Sequence, residues 1–316
     1  MPATPILVTG LGLVTPAGIG VKATWERVCA ATATAARDPA LSGLLVDFSC
    51  RVPDHDQPRG PGARRLGRFT QFALGAAQEA VTDAGLDPQN WAGDRVAIVV
   101  GSGAGDLATL ENQHQHLTDG RPHLVSPLTM PVYLPNMAAA QVAIALHAHG
   151  PSMHTSTACA SGATAIGLAA HLLRTGACDI AIAGGTESVV TRLSAAAFAS
   201  MGVLSRRCDD PAAASRPFDQ DRDGFVLAEG AGFLVLERAD DAHARHASGY
   251  ATLAGYGATS DAHHPVAPDP AATQFTHAIH QALDQAEATP GDVDHVNAHG
   301  TGTHLNDQTE ARALAR

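Results

Sequence analysis

The chain has 316 residues, of which 45% are hydrophobic and 16% charged, so it can build a large core and is neither a disordered chain nor a disulfide-held miniprotein. Its formal net charge of −11 excludes a general nucleic-acid binder, because such proteins cluster Lys and Arg against phosphates. Glycine and proline are spread along the chain, which predicts one large or two fused α/β units without a flexible linker.

Hydrophobic periodicity predicts alternating strands and helices, which is typical of a layered α/β fold. In chain order these are a strand at 5–8, a helix at 64–84, a strand at 96–100, helices at 138–147 and 160–174, a strand at 179–183, an antiparallel hairpin at 225–237, a helix at 238–246, a strand at 251–258, a helix at 271–286 and a strand at 295–297.

A second α/β unit is predicted to begin near Tyr250, which divides the chain into residues 1–249 and 250–316. The second unit would contain two strands and two helices. Such a layer leaves strand edges unpaired and an apolar face uncovered, so a further segment is expected after Arg316.

The stretch from Pro122 to Leu173 contains no Asp, Glu, Lys or Arg, but polar residues interrupt it too often for a membrane span. We predict that it forms the buried centre of the molecule and that the protein has no membrane partner. The cysteines lack CxxC spacing, and the N-terminus lacks the pattern of a secretory signal, which together predict a reducing, cytoplasmic location.

The segment PSMHTSTACASG, residues 151–162, is predicted to run from a short strand into a helix. Small residues surround Cys159, so the chain can turn tightly and present the thiol at the helix start, as a nucleophile elbow presents serine. A helix N-terminus stabilises an anion, so we expect a populated thiolate at neutral pH. The alternative for any cysteine is a small buried hydrophobic residue. That interpretation is kept for the other four, Cys29, Cys50, Cys178 and Cys208.

The segment NAHGTGT, residues 297–303, places His299 in a loop between a predicted strand and a predicted helix. Ligands meet open α/β sheets at strand ends, where a neutral imidazole can donate to a substrate carbonyl oxygen. The hydroxyls of Thr301 and Thr303 can bond a polar tether. Asp307 and Glu310 lie three residues apart and share one helix face, for which a functional pair and a solvated acidic face are both open interpretations.

Seventeen histidines raise the hypothesis of a metal site. None of the close pairs has ligand spacing together with carboxylates, so no catalytic metal is expected. The glycines at 10–12 and 101–105 do not form a dinucleotide-binding motif, because Thr15 and Asp106 stand where its third glycine would be.

Around Cys159 and His299, seven segments make the chain similar to the β-ketoacyl-acyl-carrier-protein synthases of the thiolase superfamily, of the elongating type that uses two histidines. The segments are VTGLGLVTPAG at 8–18, RFTQFALGAAQEAVTDAGL at 68–86, TACASG at 157–162, IAGGTES at 182–188, SRPFDQDRDGFVLAEGAG at 215–232, SDAHHPVAPDP at 260–270 and NAHGTGT at 297–303. The resemblance implies a thiolase-like, duplicated αβαβα layered sandwich, incomplete in its second half here, and decarboxylative Claisen condensation.

By this resemblance, Cys159 is the nucleophile that accepts an acyl chain from a carrier-protein thioester, and its own N–H is half of the oxyanion hole. His299 bonds the malonyl thioester carbonyl and stabilises the enolate. Thr301 and Thr303 hold the phosphopantetheine arm, which the acyl carrier protein supplies, so no cofactor bound by the protein itself is expected.

Glu310 and, less closely, Asp307 match the acidic residues that organise the family's catalytic lysine and nearby water. That lysine and the second histidine belong to a KSxxGH segment, and another oxyanion donor belongs to a GFGG segment; neither is present in this sequence. Lys22 lies in an unrelated segment and is no substitute. The missing part is outside this sequence, supplied by another chain, or lost in a degenerate partner subunit, and we favour the first explanation.

Carrier proteins are acidic, so an acidic synthase needs a basic docking area. The resemblance predicts docking residues in two places, with ordinary surface arginines as the alternative. They are Arg64, Arg65 and Arg68 on one helix, and Arg206 with Arg207 on a second basic spot.

The sequence therefore predicts an elongating ketosynthase of fatty acid or polyketide assembly, as a homodimer or as a heterodimer with a homologous subunit. The alternatives are an acyltransferase that loads Cys159 without decarboxylation and a non-catalytic partner subunit. The retained Cys159 argues against the chain-length-factor type of partner. Acyl length, saturation and pathway depend on tunnel packing and are not readable from these residues.

Overall fold

The computed structural model describes residues 4–53 and 66–316. Its strands are β1 (Ile6–Thr15), β2 (Gly18–Ile19), β3 (Ala36–Arg37), β4 (Phe48–Ser49), β5 (Val96–Gly101), β6 (Ser152–Thr155), β7 (Ile180–Ser188), β8 (Glu229–Arg238) and β9 (Ala251–Leu253). Its helices are α1 (Val21–Cys29), α2 (Arg68–Asp83), α3 (Leu107–Thr118), α4 (Thr129–Tyr133), α5 (Met137–Ala145), α6 (Ser161–Arg174), α7 (Arg192–Ser200), α8 (Ala239–Ala244), α9 (Thr273–Gln285) and α10 (His304–Leu314).

The chain forms two compact units, each described by itself. The first unit falls within Met1–Thr34, Arg51–Thr191 and Ala228–Leu253. The second comprises Ala35–Cys50, Arg192–Leu227 and Ala254–Arg316. Two segments of the predicted first domain thus group with the C-terminal residues, and the domain boundary at 249/250 stays a prediction.

A mixed sheet forms the centre of the first unit. Its strand order is β2-β1-β8-β7-β5-β6, and β9 pairs with β1. Strand β5 is parallel to both β6 and β7, whereas β8 is antiparallel to β7 and β1. The carboxyl ends of the three parallel strands therefore meet at one edge of the sheet, the position at which open α/β sheets bind ligands.

Both faces of this sheet are covered by helices. Alternation along β5 sends Ile98 into a core that includes Phe69 and Phe72 of α2 and residues of α5. It sends Val99 into the opposite core, which is built around Leu173 and the alanines of α6. The first unit is therefore an αβα layer, as the sequence alternation predicts.

Two carboxylates of α2 protect the open stretch of β1 between its partners β2 and β9. Asp83 accepts the Leu11 N–H at 2.9 Å, and Glu79 accepts the Leu13 N–H at 2.8 Å. Strand donors left open can pair with another chain. Here side chains take the place of a neighbouring strand.

The hairpin predicted at 225–237 is wrong. Phe225 pairs with Leu204 in the second unit, and β8 is one strand beginning at Glu229. The glycines in the middle of the segment serve close packing against β1 instead of a turn, since a Cβ on Gly230 would lie 2.7 Å from the carbonyl oxygen of Val14 and one on Gly232 would lie 3.2 Å from the Leu13 side chain.

The prediction that residues 122–173 form the buried centre is also wrong. Helix α6 and part of α5 are buried, but Leu128 is 43% exposed, Met130 53% and Ile144 67%. A segment without charges can lie in a core or on a surface that another protein covers, and composition does not distinguish the two.

In the second unit, residues 254–316 contain α9 and α10 and no assigned strand. The predicted strand at 251–258 ends at Leu253, because the N–H groups of Tyr256 and Ala258 donate to the side chains of Gln285 and Gln281 on α9. The predicted strand at 295–297 is extended chain without a ladder partner.

An acid-sensitive ion cluster lies at the start of β7. Hydrogen bonds from Arg95 at 2.7 Å and from Arg238 at 2.6 Å lower the pKa of Asp179 to about 2. Because the folded pKa is below the unfolded value, the stabilisation is complete above about pH 4 and is lost as the pH falls towards about 2.

We expect Asp179→Asn to lower the free energy of unfolding near neutral pH by at most about 1 kcal/mol, since the side chain is 42% exposed and water screens the pair. Urea unfolding of both proteins measures it. The difference should disappear near pH 2, and a difference that persists there would contradict this assignment.

Candidate active site

Cys159 lies on a tight turn where β6 leads into α6. Residues Ala158–Ala160 form a single 3-10 turn, and α6 begins at Ser161. Ala158 has φ of 50°, a left-handed conformation that a residue with a Cβ adopts at a cost and that is concentrated at functional sites. The elbow predicted from the small residues is therefore present, and Cys159 is exposed.

The hydroxyl of the buried Ser161 stabilises this turn through two hydrogen bonds. Its hydroxyl accepts the Thr157 N–H at 2.9 Å and donates to the carbonyl of Ala158 at 2.7 Å. The Thr155 hydroxyl donates to the carbonyl of Ser161 at 2.9 Å. The strained Ala158 is thus held by bonds on both sides, which keeps the thiol at the N-terminus of a 14-residue helix.

Cys178 shows what the alternative interpretation looks like. It is fully buried in the core, and loss of solvation raises the pKa of its thiol to about 11. Cys159 has the opposite environment, exposed and at a helix start. The buried-hydrophobe interpretation thus fits Cys178 and fails for Cys159. Among the other cysteines for which it is predicted, it is wrong for Cys29, which is exposed, and for Cys50 and Cys208, which are half-buried.

A half-buried carboxylate that the sequence analysis does not predict bonds residues 102 and 103, which follow β5. Glu187, near the end of β7, accepts the Gly103 N–H at 2.6 Å and the Ser102 hydroxyl at 3.3 Å. Burial raises the pKa of Glu187, although these hydrogen bonds oppose the shift. The adjoining His154 contacts the Ser102 carbonyl through Nε2 at 3.2 Å, and burial lowers its pKa.

His299 occupies an exposed loop in the second unit, directly before α10. Gly300 and Gly302 have φ of 52° and 75°, so this loop is a tight left-handed path that glycine adopts without strain. The prediction of a Gly/Thr loop ahead of a helix is confirmed, whereas the strand predicted before it is absent.

Both acidic residues of α10 are buried, 2% exposed each, so the solvated-face interpretation is wrong. Glu310 accepts the N–H of His299 at 2.6 Å and that of Gly300 at 2.8 Å. Asp307 accepts the N–H of Gly302 at 3.1 Å. The family resemblance implies that they organise a lysine and nearby water; in this structure their oxygens accept hydrogen bonds from the backbone N–H groups of the histidine loop.

The two threonines lie side by side on the same loop. Their hydroxyl oxygens are 2.9 Å apart, and Thr303 caps α10 by accepting the Asn306 N–H at 3.4 Å. Both residues are half-buried. The structure thus gathers His299, Thr301, Thr303, Asp307 and Glu310 in the second unit, and it places Cys159 in the first.

The predicted docking arginines have different surroundings. Arg64 and Arg65 lie outside the described residues. Arg206 is exposed, whereas Arg207 donates to the carbonyl of Asp221 at 2.6 Å and lies 3.6 Å from the carboxylate of Asp223.

Arg68 has an internal role. Its guanidinium donates to both oxygens of Glu229, the shortest contact being 2.7 Å, and to the carbonyl of Val52 at 2.9 Å. Glu229 has a fully buried side chain. These contacts assign Arg68 to holding a buried carboxylate, a partner 161 residues away that no local pattern around Arg68 indicates.

We expect Arg68→Gln to destabilise the fold by about 3 kcal/mol, because the buried Glu229 then loses its close guanidinium partner and keeps the longer 3.8 Å pair to Arg51 and the hydrogen bonds from the Val52 N–H and the Ser188 hydroxyl. Denaturant unfolding measures this. Arg206→Gln on the exposed spot is the control and should change the unfolding free energy by less than about 0.5 kcal/mol. Equal stabilities of the two variants would refute the internal role.

Within residues 4–53 and 66–316, no group of three or more His, Cys, Asp or Glu side chains is arranged to hold a metal ion. No helix in that part of the chain is both long enough and apolar enough to cross a bilayer.

An exposed cysteine on a strained strand-to-helix turn is the local architecture of enzymes that use a side-chain nucleophile. Known proteins agree with this class. The model of the beta-ketoacyl synthase N-terminal domain matches residues 3–242, and that of the beta-ketoacyl synthase C-terminal domain matches residues 250–316. The chain is 41% identical to 3-oxoacyl-[acyl-carrier-protein] synthase 2 of Staphylococcus aureus, over 98% of this chain and 76% of that protein. It belongs to the beta-ketoacyl synthase family.

Solved structures support the same conclusion. A type II polyketide ketosynthase, bound to its acyl carrier protein and a hexaketide, superimposes with a TM-score of 0.90 and 32% identity, over 98% of this chain and 77% of that one. The ishigamide ketosynthase/chain length factor superimposes with a TM-score of 0.91 and 32% identity, over 99% of this chain and 77% of that one. The thiolase-like α/β fold of ketosynthases, predicted from the motifs, is confirmed.

Proposed function

We propose that this protein is a β-ketoacyl synthase, an acyltransferase that condenses an acyl group held on Cys159 with malonyl-acyl carrier protein and releases carbon dioxide. The observation that carries the proposal is the exposed thiol on the strained Ala158–Ala160 turn at the start of α6. Family membership supplies the reaction class.

The proposed reaction has two stages, each with its reactants held in place. First, the Cys159 sulfur bonds to the acyl carbonyl carbon, and the carrier thiol leaves with the proton. The malonyl thioester then loses carbon dioxide, and the resulting enolate carbon attacks the acyl carbonyl. A carbon–carbon bond forms, the bond to sulfur breaks, and the thiolate of Cys159 takes up a proton.

The histidine loop serves the second stage. The His299 imidazole donates to the malonyl thioester carbonyl, where negative charge develops on the enolate. Thr301 and Thr303 present adjacent hydroxyls that can bond the amides of a phosphopantetheine arm. That arm arrives on the carrier protein, so the reaction needs no cofactor resident in this chain.

A second ketosynthase-like subunit is the proposed partner for the uncharged surface. Leu128, Met130, Ile144 and Met153 are exposed within a stretch that has no charged residue. Strand β6 also ends the strand path of the described sheet. Interface centres combine apolar side chains with few charges. Sedimentation of the chain, alone and with a homologous subunit, tests this part of the proposal; a monomer in both cases would contradict it.

Carrier-protein docking is proposed at Arg206 and Arg207, because an acidic partner needs a basic spot on a chain whose net charge is −11. Arg206→Glu should weaken carrier-protein binding at low salt by about tenfold, through slower association. Surface plasmon resonance measures it, with Lys22→Glu as the surface charge control. Equal binding by both variants would remove Arg206 from the docking area.

A non-catalytic or non-decarboxylating partner subunit is the second candidate, because a ketosynthase/chain length factor is also among the similar structures. Intact-mass spectrometry after incubation with an acyl-carrier-protein thioester distinguishes them. The synthase gains the acyl mass on Cys159 and releases carbon dioxide from malonyl carrier protein. Loading without carbon dioxide supports an acyltransferase, and an unmodified Cys159 supports the partner subunit.

The cytoplasm is the proposed location. The chemistry requires Cys159 as a thiol, and thiols stay reduced in a compartment buffered by glutathione and thioredoxin.

A further inference from the structure

Arg222 is the one arginine of the described second unit whose guanidinium reaches both the carboxylate and the backbone around the histidine loop. Its Nε lies 3.1 Å from Asp307 Oδ2 and 3.5 Å from the carbonyl oxygen of Thr303. A terminal nitrogen donates to the carbonyl of His304 at 3.3 Å. The side chain is only 10% exposed, so these contacts are largely shielded from water.

Asp307 connects this arginine to the loop and to the turn that precedes it. One carboxylate oxygen accepts the Gly302 N–H at 3.1 Å, and the other accepts the Phe218 N–H at 2.8 Å. Arg222 also donates to the carbonyl of Asp219 at 2.8 Å. Carboxylate and guanidinium therefore join the 217–222 turn to the start of α10.

Phe218, in the turn that Asp307 and Arg222 connect to α10, has an unusual backbone conformation. Its φ is 64°, a conformation that bulky side chains avoid unless their surroundings hold them there. A Cβ placed on Gly300 would lie 3.3 Å from Pro217 and 3.6 Å from the Phe218 ring. The turn thus packs directly against the residue that follows His299.

We propose that Arg222 is a positioning residue, which fixes the His299–Thr303 loop through Asp307. This inference rests on the proposed function for its catalytic consequence and on the contacts above for its structural part. Glu310 holds the His299 end of the loop, and Arg222 with Asp307 holds the Thr303 end. Both ends are then fixed, and the imidazole is presented in one place.

The test compares Arg222→Gln with Arg216→Lys. Arg216 lies in the same segment, and its contacts are to Ala213 and Asp219 instead of the loop. For Arg222→Gln, we expect kcat of malonyl decarboxylation to fall about 100-fold with KM within about twofold, because misplacing a catalytic group costs about that factor. Acyl loading of Cys159 stays unchanged, and millimolar methylguanidine restores part of kcat. Arg216→Lys keeps kcat within about twofold.

Hydrogen exchange separates this inference from the proposed function. The amides of residues 299–302 should exchange faster in Arg222→Gln than in Arg216→Lys, whether or not the wild-type chain is enzymatically active. If the wild-type chain neither loads nor decarboxylates, the proposed function fails and exchange alone decides the role of Arg222. Unchanged exchange at 299–302, or equal loss of kcat in both variants, would overturn the inference.

Discussion

Replacing Cys159 by alanine should abolish acyl loading and lower the condensation rate by more than about 10³-fold, because the sulfur that carries the acyl group in the proposed covalent stage is removed. The change removes one exposed sulfur from a turn whose bonds come from Ser161 and Thr155, so folding should be preserved. Incubation with an acyl-carrier-protein thioester, followed by peptide mass spectrometry, measures the loading directly.

The chain contains its own controls for this experiment. Cys178 is buried and its thiol pKa is raised to about 11, so it should stay unmodified in both proteins. Cys29 is exposed on α1 and reports non-specific acylation. Equal modification of Cys29 and Cys159 in the wild-type chain would show that the turn confers no special reactivity and would contradict the assignment.

The Cys159 turn was predictable because its cause is local. Small residues between a short strand and an amphipathic helix leave few conformations other than a tight turn, and the sequence shows them together. The same holds for β1, β5, β7 and α6, whose periodicity agrees with their burial on the sheet. Local pattern and final structure agree wherever the neighbours that decide the conformation are close in the chain.

The predictions from the sequence are wrong where a residue distant in the chain determines the conformation or the partner of a side chain. Arg68 reads as a surface cation, but the buried Glu229 is its partner. The second half of the strand predicted at 251–258 donates its N–H groups to two glutamines of α9. The glycines at 230 and 232 are required by the close approach of the neighbouring strand β1. Hydropathy also does not distinguish a core from an exposed apolar surface, so the uncharged segment that includes Ile144 predicts an interior although Ile144 is 67% exposed.

The acidic pair of α10 is an intermediate case. Its spacing correctly places Asp307 and Glu310 on one helix face, and the family resemblance gives both a role in the site. The sequence does not show which groups they bind, because the left-handed path through Gly300 and Gly302 turns the loop amides toward the helix. Buried carboxylates need such donors to offset the loss of water, so the loop and the helix stabilise each other.

This arrangement predicts separate roles for the cysteine and the histidine. His299→Ala should leave acyl loading of Cys159 intact and lower malonyl decarboxylation by about 10²–10³-fold, the usual effect of removing one donor to a developing oxyanion. The side chain is exposed, and the bond to Glu310 comes from the backbone N–H of this residue, which alanine retains.

His295→Ala, four residues upstream and also exposed, is the matched control and should retain both activities. Loading is followed by intact mass and decarboxylation by release of labelled carbon dioxide, so the two stages are measured independently. If His299→Ala lost loading as completely as Cys159→Ala, the histidine would act in the first stage, and the division of labour between the two units of the chain would be wrong. If His295→Ala lost as much decarboxylation as His299→Ala, the loss would come from a change in the extended segment and not from removal of the His299 imidazole.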